Sequence, residues 1–304
     1  MLRGTSWIVK LSVTNCTRCT RRMASSDTAM WESDANLLIV TKSNGVATLR
    51  LNDPKKLNGW TGPMMMALRE QFVALAHDDD TKVAVLTGTD PYYCAGVNLG
   101  ATIKPMHPKK LHNLIRLNNQ ALFDAFIDFP KPLLVAANGP AIGASVTSAT
   151  LCDAIIASDQ ATFNVPFSVL GIPPEGCSSV HFERIMGAEN ASKMLDDNWK
   201  PSAEEACEAG FVAKVVPHDE LMGAAQQMAE QWIAEGKVRG LVADGKVEEY
   251  KVVNAKESCD LADAFLSTPF LMAQYEFLKS KKKTQPAMVF RTIALLRPLW
   301  SKLL

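Results

Sequence analysis

In the stretch GIPPEGCSSV (171–180) one carboxylate, Glu175, stands between a proline pair and a glycine. Pro173 and Pro174 hold φ near −65° and donate no N–H, so the chain there reads as a stiff turn entering a helix at Cys177 or Ser178. A carboxylate on so rigid a support is aimed at something definite and could serve as a general base. The same residue equally fits an exposed turn glutamate favoured by a helix N-terminus, which for an isolated glutamate is the commoner case. Two glycine loops could complete a site. CAGVNL (94–99) follows the apolar run KVAVLTG, and NGPAIGAS (138–145) follows PLLVAA. A backbone N–H exposed at a strand end or helix N-terminus stabilises developing negative charge, so the two loops could converge on one oxygen. Each loop taken singly is as readily an ordinary tight turn.

Other chemistries lack their residues. The chain has no G-x-G-x-x-G, G-x-x-x-x-G-K-[ST], H-E-x-x-H or G-x-S-x-G, which removes the main support for nicotinamide, nucleotide-hydrolase, zinc-protease and serine-hydrolase readings. The five histidines (77, 107, 112, 181 and 218) have no metal-like i, i+3 or i+4 partner and read as surface or capping residues; no metal is expected. Seven cysteines scattered through 304 residues suit a reducing compartment. Cys16 and Cys19 form a C-x-x-C without a second pair at zinc spacing. With 32 basic and 32 acidic residues the chain carries no global footprint for nucleic acid, and an anionic ligand must be met by local charge.

The elements that must hold these loops follow from periodicity. Residues 36–52 read as two strands joined at Asn44-Gly45, a hairpin signal. GPMMMALREQFVALAHDD has helical spacing, and its methionines are packing residues. KVAVLTG and KPLLVAANG are buried-strand runs, separated by a helix from about Pro108 to Asp128. DAIIASD and ATFNVPF supply two more strands, PAIGASVTSATLCD passes through glycine into a small-residue helix, and Ser202 with Glu205 makes a capping box. Buried strands alternating with helices indicate an α/β layer fold. From Glu220 to Lys283 the chain reads as helices.

The ends differ from the middle. Residues 1–26 contain five Arg or Lys and no acid, the composition of a mitochondrial transit peptide, with a disordered basic tail as the alternative. Residues 288–304 are apolar with interspersed Arg and Lys, too short and charged to span a bilayer. They fit an amphipathic helix docked on the body, on a partner subunit or on a membrane surface. Ser301-Lys302-Leu303 spells a peroxisomal address, but Leu304 follows it. The expected organisation is a transit or disordered segment over 1–30, a core over 31–225, a helical region over 226–283 and an extension over 284–304.

From LNDPKKLNG (51–59) through YYCAGVNL, ANGPAIGAS, LCDAIIASD, FNVPFSVLGIPPEG and SAEEACEAGFVAKVVP, the chain resembles the crotonase, or enoyl-CoA hydratase/isomerase, superfamily, closest to its peroxisomal-type 3,2-enoyl-CoA isomerases. The resemblance implies an α/β fold, a crotonase-like spiral of ββα repeats with a C-terminal helical trimerisation region, and a homotrimer or hexamer. It implies an acyl-CoA thioester substrate and no cofactor, coenzyme A being part of the substrate. The oxyanion hole would be the backbone N–H groups of Val97 and Ala144. Cys94, Ala95, Gly96, Val97 and Asn98, with Gly143, would line the thioester path, and Lys55, Lys56 and Leu57 would meet the CoA moiety. Asn98 departs from a frequent aspartate. The two glutamate positions of hydratases are Thr147 and Phe167 here, and the isomerase glutamate matches Glu175. That implies a single-glutamate isomerase of fatty-acid β-oxidation, its base flanked by Phe167, Val169 and Ile172, in the mitochondrial matrix or else the peroxisome. The rivals are a hydratase or dienoyl-CoA isomerase of the same fold, and a non-catalytic acyl-CoA-binding protein.

Overall fold

The computed structural model describes residues 34–97 and 106–304. The transit-peptide reading, Cys16, Cys19 and Asn98 therefore fall outside the described residues. Strands β1 (Leu38–Ser43) and β2 (Val46–Leu51) form the expected hairpin, with Ser43 opposite Val46. Asn44 and Gly45 both take positive φ (50° and 80°), as a two-residue turn matching the strand twist requires. Strands β3 (Val83–Gly88), β4 (Leu133–Ala137), β6 (Ala154–Ser158) and β8 (Lys214–Val216) extend this into a six-stranded sheet of order β1-β2-β3-β4-β6-β8. Only the β1–β2 pair is antiparallel.

Every residue of β3 and β4 is buried, because both faces of the sheet are covered. Alternate side chains serve opposite faces. Ala84, Leu86, Leu133 and Val135 join a large core with Leu68 and Phe72 of α1 (Gly62–Ala76) and Phe123 and Phe126 of α2 (Pro108–Ile127). Val83, Val85, Leu134 and Ala136 face the other way, onto Leu221, Ala225, Ala229 and Trp232 of α7 (Leu221–Ala234). Between these lie α3 (Ala144–Thr150), α4 (Phe167–Leu170), α5 (Ser178–Leu195, kinked at Gly187) and α6 (Ala203–Glu208) with its Ser202/Glu205 capping box. The segment ATFNVPF yields only a two-residue strand, β7 (Phe163–Asn164), paired outside the main sheet with β5 (Ala141–Ile142).

The C-terminal third is helical: α8 (Gly240–Ala243), α9 (Val247–Phe265), α10 (Thr268–Ser280), α11 (Thr284–Leu295) and α12 (Arg297–Trp300). Helix α9 lies along α2, where Asn254 Nδ2 donates to Asp124 Oδ1 (2.8 Å) and Asn119 Nδ2 to Ser258 Oγ (3.1 Å). The terminal extension is two helices rather than one, broken at Leu296 and packed against α10 through Phe290, Ala294 and Leu271. No described helix is long and apolar enough to cross a membrane.

Candidate active site

The two glycine loops meet. Beyond β3 the chain passes Cys94, whose N–H donates to Pro140 O (3.3 Å) and whose carbonyl accepts from Ile142 N–H (3.0 Å) and Ser145 Oγ (2.9 Å). A lone parallel bridge between Cys94 and Ala141 thereby zips one loop to the other. Gly96, at φ +74°, lies so close to the second loop that a Cβ there would sit 2.3 Å from Ile142 O and 3.7 Å from Ala144 N. No side chain fits that contact, which is why this position is glycine. Its own carbonyl accepts from Trp60 N–H (2.8 Å).

Val97 and Ala144 follow these two close approaches. Ala144 is the first residue of α3, where the N–H has no intrahelical acceptor. Among the described residues neither Val97 N–H nor Ala144 N–H has a hydrogen-bond acceptor, and both residues line one cavity of about 130 Å³. Gly96, Gly143 and Ala95 line it with them, whereas Cys94 is buried behind the loop. Burial pushes the Cys94 thiol up to about 12, so it is no nucleophile. Lys55, Lys56 and Leu57 lie outside this cavity, on an exposed turn; Lys56 pairs with Asp53 (3.0 Å), and Leu57 O accepts from Ala95 N–H (3.0 Å).

Glu175 is 6% exposed and lines the same cavity, which removes the surface-glutamate alternative. Its turn is fixed from several sides. Ser178 Oγ donates to Glu175 O (2.7 Å), and Gly176, at φ +65°, presses on Phe123 and Thr147 so that a Cβ would meet the ring at 2.4 Å and the hydroxyl at 2.7 Å. Helix α5 starts two residues after Gly176, at Ser178, as the sequence implies. The Glu175 carboxylate takes no hydrogen bond from a described residue, and desolvation pushes its pKa up to about 8, helped by the charge of nearby Glu257. Phe167 and Ile172 line the cavity as expected. Val169 does not: it is 64% exposed, because α4 is a single turn that presents that residue outward. Thr147 Oγ1 is occupied, donating to Ala144 O (3.2 Å).

Three cavity-related residues were not legible as functional. Glu257, on α9, is 4% exposed and accepts from the N–H groups of Cys177 (2.5 Å) and Ser179 (3.0 Å), clamping the first turn of α5. Asn118 and Asn119 line the cavity from α2, and the buried Asn118 Nδ2 has no partner among the described residues. His181 corrects the surface reading of the histidines: it is buried, contacting Thr150 O and Tyr250 OH, with its pKa lowered by burial. Among the described residues no group of three or more His, Cys, Asp or Glu is placed to hold a metal. The assembled site offers one raised-pKa carboxylate, two free backbone donors and mostly apolar walls.

The sequence matches the enoyl-CoA hydratase/isomerase family over residues 41–250. This chain belongs to that family. It is 36% identical over 258 residues to human "Enoyl-CoA delta isomerase 2", covering 81% of this chain and 64% of that protein. It is 37% identical over 183 residues to mouse "Enoyl-CoA delta isomerase 3, peroxisomal", covering 59% of this chain and 57% of that one. This crotonase-family chain thus spans less than two thirds of either relative's length. An enoyl-CoA hydratase/isomerase from Pseudoalteromonas atlantica superposes with a TM-score of 0.71 at 26% identity, over 80% of this chain and 97% of that one, the crotonase fold expected from the sequence.

Proposed function

We propose that this protein is a 3,2-enoyl-CoA isomerase acting by a single-glutamate proton shuttle. The observation that carries the reading is that Glu175 is the one carboxylate among the described residues lining the cavity that also holds the Val97 and Ala144 N–H groups. The thioester oxygen of a 3-enoyl-CoA accepts from both N–H groups, which polarises the carbonyl and acidifies C2. Glu175 takes the C2 proton, leaving a dienolate whose oxyanion the two donors stabilise; each such donor contributes about 3–4 kcal/mol in acyl-transfer sites. The protonated Glu175 then returns its proton to C4, giving the trans-2-enoyl-CoA and restoring the carboxylate, with no other co-reactant. A raised pKa suits both halves, strengthening the base and keeping the acid within reach of neutral pH.

Hydration needs a second acid/base group to hold and activate water. Thr147, whose hydroxyl is occupied, and Phe167 stand at those positions, and the apolar walls Phe167, Ile172, Leu122 and Met65 keep water out. The same reading places the CoA phosphates near Lys55 or Lys56 and takes the assembly as a homotrimer or hexamer. Assay of 3-hexenoyl-CoA isomerisation against crotonyl-CoA hydration tests it. The wild type should isomerise far faster than it hydrates, and Glu175→Gln should lose at least about a thousandfold in kcat while still binding acyl-CoA. A folded Glu175→Gln with undiminished turnover would overturn the mechanism.

A further inference from the structure

We propose that a second, apolar chamber, roofed by α11 and α12, receives the distal part of a long fatty acyl chain whose thioester occupies the Glu175 pocket. The inference rests on the acyl-CoA reading of that pocket and extends it to the substrate's length. The pocket itself offers about 130 Å³, below the usual range of sites that bury a drug-sized ligand. Beside it lies a chamber of about 490 Å³, within the range of ligand sites. Its walls include Met106, Leu111, Leu266, Ile293 and Trp300, and among the described residues Thr292 is its one hydroxyl-bearing wall residue. Among the described residues no charged side chain lines it, which suits an alkyl chain rather than a headgroup.

The two spaces are separated by one layer of side chains. Ile115 lines the pocket and Leu111, one turn earlier on the same face of α2, lines the chamber. At the end of α9, Phe265 lines the pocket and the adjacent Leu266 the chamber. All four belong to one buried cluster, against which Ile172 from the pocket and Trp300 from the chamber both pack. Phe265 is stacked on Phe270 (4.4 Å, 7°), which leaves the rotamers of Leu111 and Ile115 as the part that yields to a passing chain. The roof is tethered by polar bonds: Arg297 Nε donates to Leu266 O (2.8 Å) and Trp300 Nε1 to Ile293 O (2.9 Å). This gives the C-terminal extension a function in the monomer, as the far wall of the acyl site.

The test measures kcat/KM for 3-hexenoyl-CoA and for a fourteen-carbon 3-enoyl-CoA in the full chain. Each methylene taken into the chamber raises kcat/KM by up to about fourfold. Ile293→Trp, which fills the chamber, should lower the value for the long substrate at least tenfold and leave the short one within twofold. Leu295→Trp, on the outward face at 69% exposure, should change neither. If Ile293→Trp fails to fold, judged by thermal melting and by short-substrate activity, Thr292→Phe replaces it. Equal loss on both substrates, or no loss on either, would overturn the chamber. Should the wild type turn over neither substrate, the isomerase reading falls instead. The chamber is then decided by calorimetric binding of saturated six- and fourteen-carbon acyl-CoA, where only the long ligand should weaken in Ile293→Trp and equal weakening refutes it.

Discussion

At the scale of single residues, Glu175 and Glu257 are two buried carboxylates with different environments. Glu257 spends its oxygens on the Cys177 and Ser179 N–H groups, whereas Glu175 has no such donor among the described residues and carries the larger consequence of burial. A carboxylate whose pKa is raised on folding prefers the protonated form, so it costs nothing below the ordinary pKa of 4.5 and destabilises increasingly as pH climbs toward about 8. Glu175→Gln should therefore raise stability, little at pH 4 and most at pH 8 and above, by an upper value of about 5 kcal/mol at 1.36 kcal/mol per unit. Urea denaturation across that pH range checks it, and an equal gain at every pH would contradict the assignment. Glu257→Gln removes the like charge facing Glu175; Lys256 on α9, the charge beside Glu257, stays in place, as do Asp124 on α2 and Arg184 on α5, whose charges are felt at Cys177. The Glu175 pKa should then fall, and the acidic limb of the kcat/KM profile should move to lower pH by about one unit. A clamp that is structural alone would lower kcat and leave the limb where it was. Local rules of proline and glycine marked the Glu175 turn as rigid, but its role as the base came from the family resemblance, with Thr147 and Phe167 at the other two carboxylate positions. Glu257 was not legible, since Cys177 and Glu257 lie 80 residues apart and only packing brings them together.

At the scale of elements, the hairpin, β3, β4 and the capping box could be read because each depends on neighbours in sequence: paired positive-φ turn residues, continuous apolar runs, a serine three residues before a glutamate. The union of the two glycine loops depends instead on a bridge between Cys94 and Ala141, which no local pattern announces. The same holds for Val169, whose apolar character suggested a wall of the site and whose one-turn helix turns it to solvent. Glycines at the close approaches report this hidden geometry. Gly176→Ala combines a left-handed φ with a Cβ driven into Phe123 and Thr147, and should cost about 2–4 kcal/mol in urea denaturation while displacing Glu175 and lowering kcat. At Gly143, at φ 59° and ψ −126°, outside the left-handed helical well, the Cβ position meets nothing within 4 Å, so Gly143→Ala should carry only the backbone cost of about 1–3 kcal/mol.

For the whole molecule, the helical C-terminal third supplies part of the pocket wall, through Leu261 and Phe265, and must be held in register with the α/β core. Arg239 does much of this. It is 1% exposed, donates to Asp153 Oδ2 (2.8 Å), and reaches the carbonyls of Phe126 (3.1 Å) at the end of α2 and Leu151 (2.5 Å) just after α3. Asp153 in turn accepts from Leu133 N–H (2.7 Å) at the start of β4 and Gly240 N–H (2.6 Å) at the start of α8. One buried ion pair thus joins two helix ends, a central strand and the chain leading into α9. Breaking a buried pair by removing one partner typically costs about 3–5 kcal/mol, because the other charge stays desolvated. Arg239→Met should fall at the lower end of that range, since Asp153 keeps two N–H donors. Asp153→Asn alone should cost a comparable amount, and the double variant should lose less than the sum by at least about 1 kcal/mol. A urea-denaturation cycle measures this coupling; strictly additive losses would show that the pair does not act as a unit. In Arg239→Met the kcat/KM for a short 3-enoyl-CoA should fall as well, through loosened positioning of Leu261 and Phe265, with the pH of its acidic limb unchanged because Glu175 and Glu257 keep their places.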